Sequence, residues 1–198
     1  MTPVNPIDYF EELLSALAIE GTCSLGVYRY HPQSVSEERT DHEASTVALR
    51  DQFTGLLAAT DGRTEIAINS RILVAPDNRE VHVPLVDFTE PERVPVQVAA
   101  EALVTEYRTQ SAALFSSGRS FHLYLGAPLS KAEWVRFMGR ILLLNLPGRP
   151  QLVDARWVGH RLLAGYSSLR WSARTPPYID IGPPKMVHRW DGEQPAAR

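Results

Sequence analysis

An α/β fold of the α+β kind, built on a β-α-β-β-α-β core, is what this sequence predicts, and three observations predict it. Four runs, REVHVPLVDF (79–88), SAALFSS (111–117), SFHLYLGA (120–127) and QLVDARWV (151–158), read as strands. Two stretches of helical periodicity, Val94 to Gln110 and Ser130 to about Leu144, fall between the first and second runs and between the third and fourth. The composition suits one folded domain: 198 residues, 44% hydrophobic, with no repeat or low-complexity tract.

Taken in order, the chain opens with Asn5 as a helix cap and Pro6 in a first turn. Ile7, Phe10, Leu13, Leu14 and Leu17 then recur at helical spacing to about Ile19, with Gly21 as the expected stop. CSLGVYRY (23–30) reads as a strand, HPQSVSEERTDHE (31–43) as a polar loop and Ala44 to Ala59 as a helix. Asp61-Gly62 precedes TEIAINSRILVA (64–75), which has strand character. These elements make an N-terminal module, residues 1–78, packed on a core of residues 79–172 within a single domain 1–198. In the core, Pro95 starts a helix with Val98, Ala102, Leu103 and Tyr107 on one stripe. Gly118-Arg119 is a turn. Ser130 caps a helix whose apolar face is Trp134, Phe137, Met138 and Ile141, and Pro147-Gly148 breaks it. Residues 173–198 form a proline-rich C-terminal extension, with a disordered end expected over the last ten.

The composition excludes several classes. Cys23 is the single cysteine, so there is no intramolecular disulfide and no CxxC zinc site. No apolar run approaches the roughly 20 residues of a membrane helix, and the acidic N-terminus lacks a signal peptide's basic and apolar regions. The expectation is a cytoplasmic protein with no membrane partner. The net charge of −3 is not that of a typical nucleic-acid binder, but the charge is uneven. Eight arginines between Arg119 and Arg174 face only Glu133 and Asp154, a local excess that can hold phosphates.

Topology gathers candidate residues. In the split-βαβ order the first strand is central, flanked by antiparallel third and fourth strands. Asp87 then ends the first strand beside His122 on the third and Asp154 on the fourth. Alternation turns Val86, Phe88, Phe121, Leu123, Leu125, Val153, Ala155 and Trp157 toward the helices. It leaves Asp87, His122, Tyr124, Asp154 and Arg156 on a face expected to be free of helices. Two carboxylates at close range repel unless a cation bridges them, and Mg2+ or Mn2+ prefers carboxylate oxygens with substrate phosphates. Phosphoryl and nucleotidyl transfer use such an ion, with arginines binding phosphate in fork geometry. A Ser-His-Asp hydrolase would need a GxSxG elbow, which is absent.

These residues carry a resemblance. SSGRSFHLYL (116–125) resembles the second motif of the archaeo-eukaryotic primase-polymerase superfamily, in which a serine-glycine turn leads into a strand bearing a histidine. VDARW (153–157) followed by GYSSLRWS (165–172) is similar to its third motif, and PLVDF (84–88) falls where its Asp-x-Asp first motif would lie. The likeness spans about Arg79 to Trp171. The superfamily core is itself a β-α-β-β-α-β, RRM-like unit with an N-terminal module. The resemblance implies that Asp87 and Asp154 are metal ligands and that Ser117, His122, Ser168 and Arg170 contact a nucleoside triphosphate. Gly118 and Arg119 would shape the turn. Thr89 replaces the second aspartate of the first motif, with Glu90 one residue further, and the chain is most similar to a bacterial, primase 1D-like branch with a shortened first motif. The implied activity is metal-dependent nucleotidyl transfer, as in a primase or DNA polymerase, on a DNA or RNA template. The alternatives are a degenerate member that binds nucleotide or single-stranded nucleic acid as a sensor or partner subunit, and an unrelated ferredoxin-like interaction module.

Overall fold

The computed structural model describes residues 5–29, 38–109, 111–176 and 178–191. Its first helix, α1 (Pro6–Ala16), is capped by the Asn5 side chain, which accepts from Ile7 N at 3.0 Å and Asp8 N at 2.9 Å. Two strands follow, β1 (Gly21–Tyr28) and β2 (Arg39–Ser45), and then α2 (Leu49–Ala59). A run of four strands comes next: β3 (Glu65–Asn69), β4 (Arg71–Val74), β5 (Arg79–His82) and β6 (Leu85–Asp87). The remaining elements are α3 (Arg93–Glu106), β7 (Ser111–Ser116), β8 (Phe121–Leu125), α4 (Lys131–Leu142), α5 (Ala155–Ala164), β9 (Ser168–Arg170) and β10 (Lys185–Asp191). The fold is α+β, as the patterning predicts. No helix among the described residues is long and apolar enough to cross a membrane.

Two antiparallel sheets organise the chain. In the first, β2 lines one side of β1, while β3 and β4 line the other, with β9 outside β3 and β5 outside β4. The second runs β10-β7-β8-β6. The expected first strand, 79–88, is divided between them: β5 pairs with β4, and β6 pairs with β8. Pro84 lies at the crossing, where its missing N–H and fixed φ suit a change of sheet.

The fourth expected strand is the main correction. Residues 155–164 are helix α5, not strand, and Asp154 is its N-cap, accepting from Arg156 N at 2.8 Å. Val158 and Arg161, three apart, point inward, which is helical spacing. Only Val153 keeps strand pairing, as a single antiparallel bridge to Phe88. The fourth strand of this sheet is β10, on the far edge beside β7, so β6 lies at an edge rather than at the centre. Part of the tail expected to be disordered, Arg189 to Asp191, is therefore paired strand, and residues 192–198 lie outside the described residues.

Other differences are local. Residues 39–43 of the expected loop are strand, and residues 31–37 lie outside the described residues. The first helix is stopped by Ala18, at φ 51°, while Gly21 opens β1 where an added Cβ would lie 2.0 Å from Leu73 O. On α3 the buried stripe is Val96, Ala99, Ala100 and Leu103, and Val98 points to solvent. By contrast, α4 has the expected face, with Trp134, Phe137, Met138 and Ile141 all fully buried behind a Ser130–Glu133 capping box.

The second sheet is covered on both faces. Val86, Phe88, Leu123 and Leu125 pack under α3 and α4. The opposite face, expected to be free of helices, meets α1 and the first sheet: Tyr124 is fully buried against Tyr9 and Phe10, and its OH accepts from Trp171 Nε1 at 3.0 Å. Each such side chain contributes about 1.5–3 kcal/mol by leaving water, so this layer welds the two sheets together. Of the polar candidates, Asp87, Arg119 and Asp154 keep access to solvent, while Ser117, His122 and Arg170 are buried.

Candidate nucleotide and metal site

Strand register builds the centre of the site. Asp87, the last residue of β6, is the cross-strand neighbour of His122 on β8, so both side chains leave the same face. His122 Nε2 lies 3.6 Å from Asp87 Oδ1. The antiparallel bridge between Phe88 and Val153 sets the following residue, Asp154, opposite Asp87. Asp154 is exposed at the N-terminus of α5, where its side chain also caps the helix.

Arg170 reaches this centre from the other sheet. It ends β9, which lies against β6, and it is almost wholly buried. Its Nη2 donates to Ser117 O at 2.8 Å, its Nη1 donates to Ser172 O, and its guanidinium sits 3.9 Å from the Tyr178 ring centroid. Ser117 is buried, and its N–H donates to Ser120 O at 2.9 Å to close the turn. Gly118, at φ 101°, has a conformation that side chains resist, and an added Cβ would lie 2.2 Å from Ile181 Cγ2. Arg119 is exposed and donates to Tyr178 OH at 3.3 Å.

The electrostatics follow from this packing. Burial pushes the Asp87 carboxyl up to about 7; Arg170 opposes the rise, the Asp154 charge adds to it, and Arg161 and Arg119 oppose it further. Burial, assisted by the Arg170 charge, holds His122 down at about 3. The imidazole is therefore neutral near pH 7, and its buried Nδ1 has no hydrogen-bond partner among the described residues.

Seven of the eight residues singled out from the sequence thus lie around one junction: Asp87, His122, Asp154, Ser117, Gly118, Arg119 and Arg170. Ser168 shares a face with Arg170 on β9, but its Oγ accepts from Arg39 Nη1 at 2.9 Å, within a polar network that includes Asn69. Tyr124 belongs to the core, and Arg156 is exposed on α5 rather than on a sheet. Sequence reasoning missed Arg161, which is fully buried and whose charge reaches Asp87. Its spacing from Val158 would have revealed it had the segment been read at helical period.

Among the described residues, no three His, Cys, Asp or Glu side chains gather at metal-ligand spacing. Thr89 is exposed, and Glu90 Oε1 accepts from Glu92 N at 2.9 Å. The available donor set is the pair Asp87 and Asp154, of which the second raises the pKa of the first. Mg2+ typically takes one or two carboxylates, with phosphates and water filling the remaining positions, so this pair fits such an ion.

An α+β protein with paired carboxylates and a neutral histidine at a sheet edge, backed by buried arginines, has the parts of a phosphate-handling site. The family model described as archaeo-eukaryotic primase 1D-like matches residues 45–182, and the chain belongs to that branch of the primase-polymerase superfamily. The match runs from the end of β2 past Tyr178 and takes in every residue named at the junction. Comparison with curated proteins and with solved structures finds no match.

Proposed function

We propose that the protein is a nucleotidyltransferase of primase-polymerase type, forming phosphodiester bonds from nucleoside triphosphates on a DNA or RNA template with Mg2+ or Mn2+. The observation that carries the reading is the register that sets Asp87 between His122 and Asp154, with the Arg170 charge behind them. Asp87 and Asp154 would hold the ion. Such an ion, when bound, neutralises charge developing on the transferred phosphoryl group and aligns it with the attacking hydroxyl. Arg170 and Arg119 supply charge-assisted hydrogen bonds to phosphate oxygens, and the Ser117–Arg119 turn fixes their approach. His122, being neutral, offers a hydrogen bond rather than a charge.

One observation favours a second reading, a member that binds nucleotide or single-stranded nucleic acid without catalysis. Thr89 brings no carboxylate, and the Glu90 carboxylate is engaged with Glu92 N, so only two carboxylates remain. Extension of a primed DNA or RNA template with Mn2+ separates the two. The expected result is extension by the wild type and a loss of at least about a hundredfold in Asp87→Asn and Asp154→Asn. A wild type inert on both templates, yet stabilised by nucleoside triphosphate, would overturn the polymerase reading in favour of the second.

A further inference from the structure

We infer that Glu65 is the positioning residue for Arg170, setting the guanidinium through the loop that follows β9. The inference rests on the function proposed above for its substrate, not for its geometry. Arg170 pairs with Ala67 across β3 and β9, so the next rung on the same face sets Ser172 opposite Glu65. Ala67 is small, which leaves room for the arginine above it.

Glu65 is fully buried, and none of its partners among the described residues is a cation. Its Oε2 accepts from Ser172 Oγ. Its Oε1 accepts from Arg174 N at 2.9 Å, Thr175 N at 2.7 Å and Thr175 Oγ1 at 2.7 Å. The Arg174 guanidinium turns away, to Thr60 Oγ1 at 2.6 Å and Thr60 O at 2.9 Å. A dry carboxylate without a counterion is costly unless its lone pairs are filled, and here four donors wrap the chain around it.

What that loop then holds is Arg170. The Ser172 carbonyl is the acceptor for Arg170 Nη1, and the Thr175 carbonyl accepts from Tyr178 N at 2.7 Å, the residue whose ring covers the guanidinium. Two of the three groups around Arg170 therefore depend on Glu65, and the third, Ser117 O, comes from the other sheet. Neither Glu65 nor the Thr175 hydroxyl needs to touch a ligand for this to work.

Glu65→Gln tests the Ser172 arm. It retains an acceptor for the three donors on Oε1 but puts an N–H, which cannot accept, where Oε2 takes the Ser172 O–H, and so leaves that buried hydroxyl without its acceptor. Thr175→Val, which removes one hydroxyl donor, tests the other arm and stands in if Glu65→Gln does not fold. The readouts are the Arg170 Nε–H resonance, assigned by its absence from Arg170→Lys, and ATP affinity with Mn2+ by calorimetry. Glu65→Gln should shift or broaden that resonance and weaken ATP binding about tenfold, with no further loss in an Arg170→Ala background. An unchanged resonance in a folded variant overturns the inference, as does an equal loss of affinity in both backgrounds. If the resonance responds while the wild type binds no ATP, the positioning role stands and the nucleotide reading for ATP falls.

Discussion

Asp87→Asn, studied in chelator, exposes the opposed titrations of Asp87 and His122. The Asp87 carboxyl is raised from 3.8 to about 7, so between those values the folded protein keeps a proton that the unfolded chain has released. Stability from this group is thus lost as pH rises through the window. His122 is lowered from 6.5 to about 3, so the unfolded chain takes up a proton that the folded protein refuses, and stability is lost as pH falls through that window. In the wild type the two slopes oppose one another from about pH 4 to about 6.5, and the pair contributes little net pH dependence there. Above about pH 7 the ionised Asp87 is a net cost. At full strength that cost is about 4 kcal/mol. The side chain is 35% exposed, so solvent screening reduces it to about 2 kcal/mol. Asp87→Asn should therefore be more stable than the wild type by about that amount near pH 8 in chelator and nearly equal to it near pH 4. Its stability should climb with pH up to about 6.5, because of this pair only the His122 slope remains. Urea denaturation at a series of pH values measures this directly, and Mn2+ near pH 8 should restore the wild type alone. A constant difference between the two proteins from about pH 4 to about 8 would refute the burial and charge assigned to Asp87.

Asp154 has two roles that a pair of substitutions separates: Asn preserves the helix cap and Ala does not. Asp154→Asn should lose primer extension with little change in melting, whereas Asp154→Ala should also cost about 1 kcal/mol of stability; equal melting of the two variants would remove the cap. Gly118→Ala should destabilise the protein by about 1–3 kcal/mol, since φ is 101° and Ile181 occupies the space; near-native denaturant stability would show that the turn is not held as described.

Helix α4 was legible because its signals are local. Ser130 and Glu133 cap α4 within one turn, and its four buried residues recur at helical spacing. The pairing of Asp87 with His122 was legible for a different reason: the split-βαβ order sets the first core strand antiparallel to the third, and β6 pairs with β8 in that sense. The last core segment was not legible. Val153 alternates with its neighbours as a strand would, and the cap at Asp154 that starts a helix also resembles a strand residue at a metal site.

By itself the sequence determined the α+β class, the caps of α1 and α4 and the turn at Gly118, because each depends on residues within a few positions of one another. Tertiary structure alone decided which strand completes the second sheet and that its expected open face is buried under α1. It also brought Glu65 and Arg170 together across the β3–β9 ladder, with one hundred residues and more between Glu65 and the loop it holds. Those outcomes depend on competition among distant segments for the same apolar surface and the same unpaired edges, and no local propensity encodes who wins.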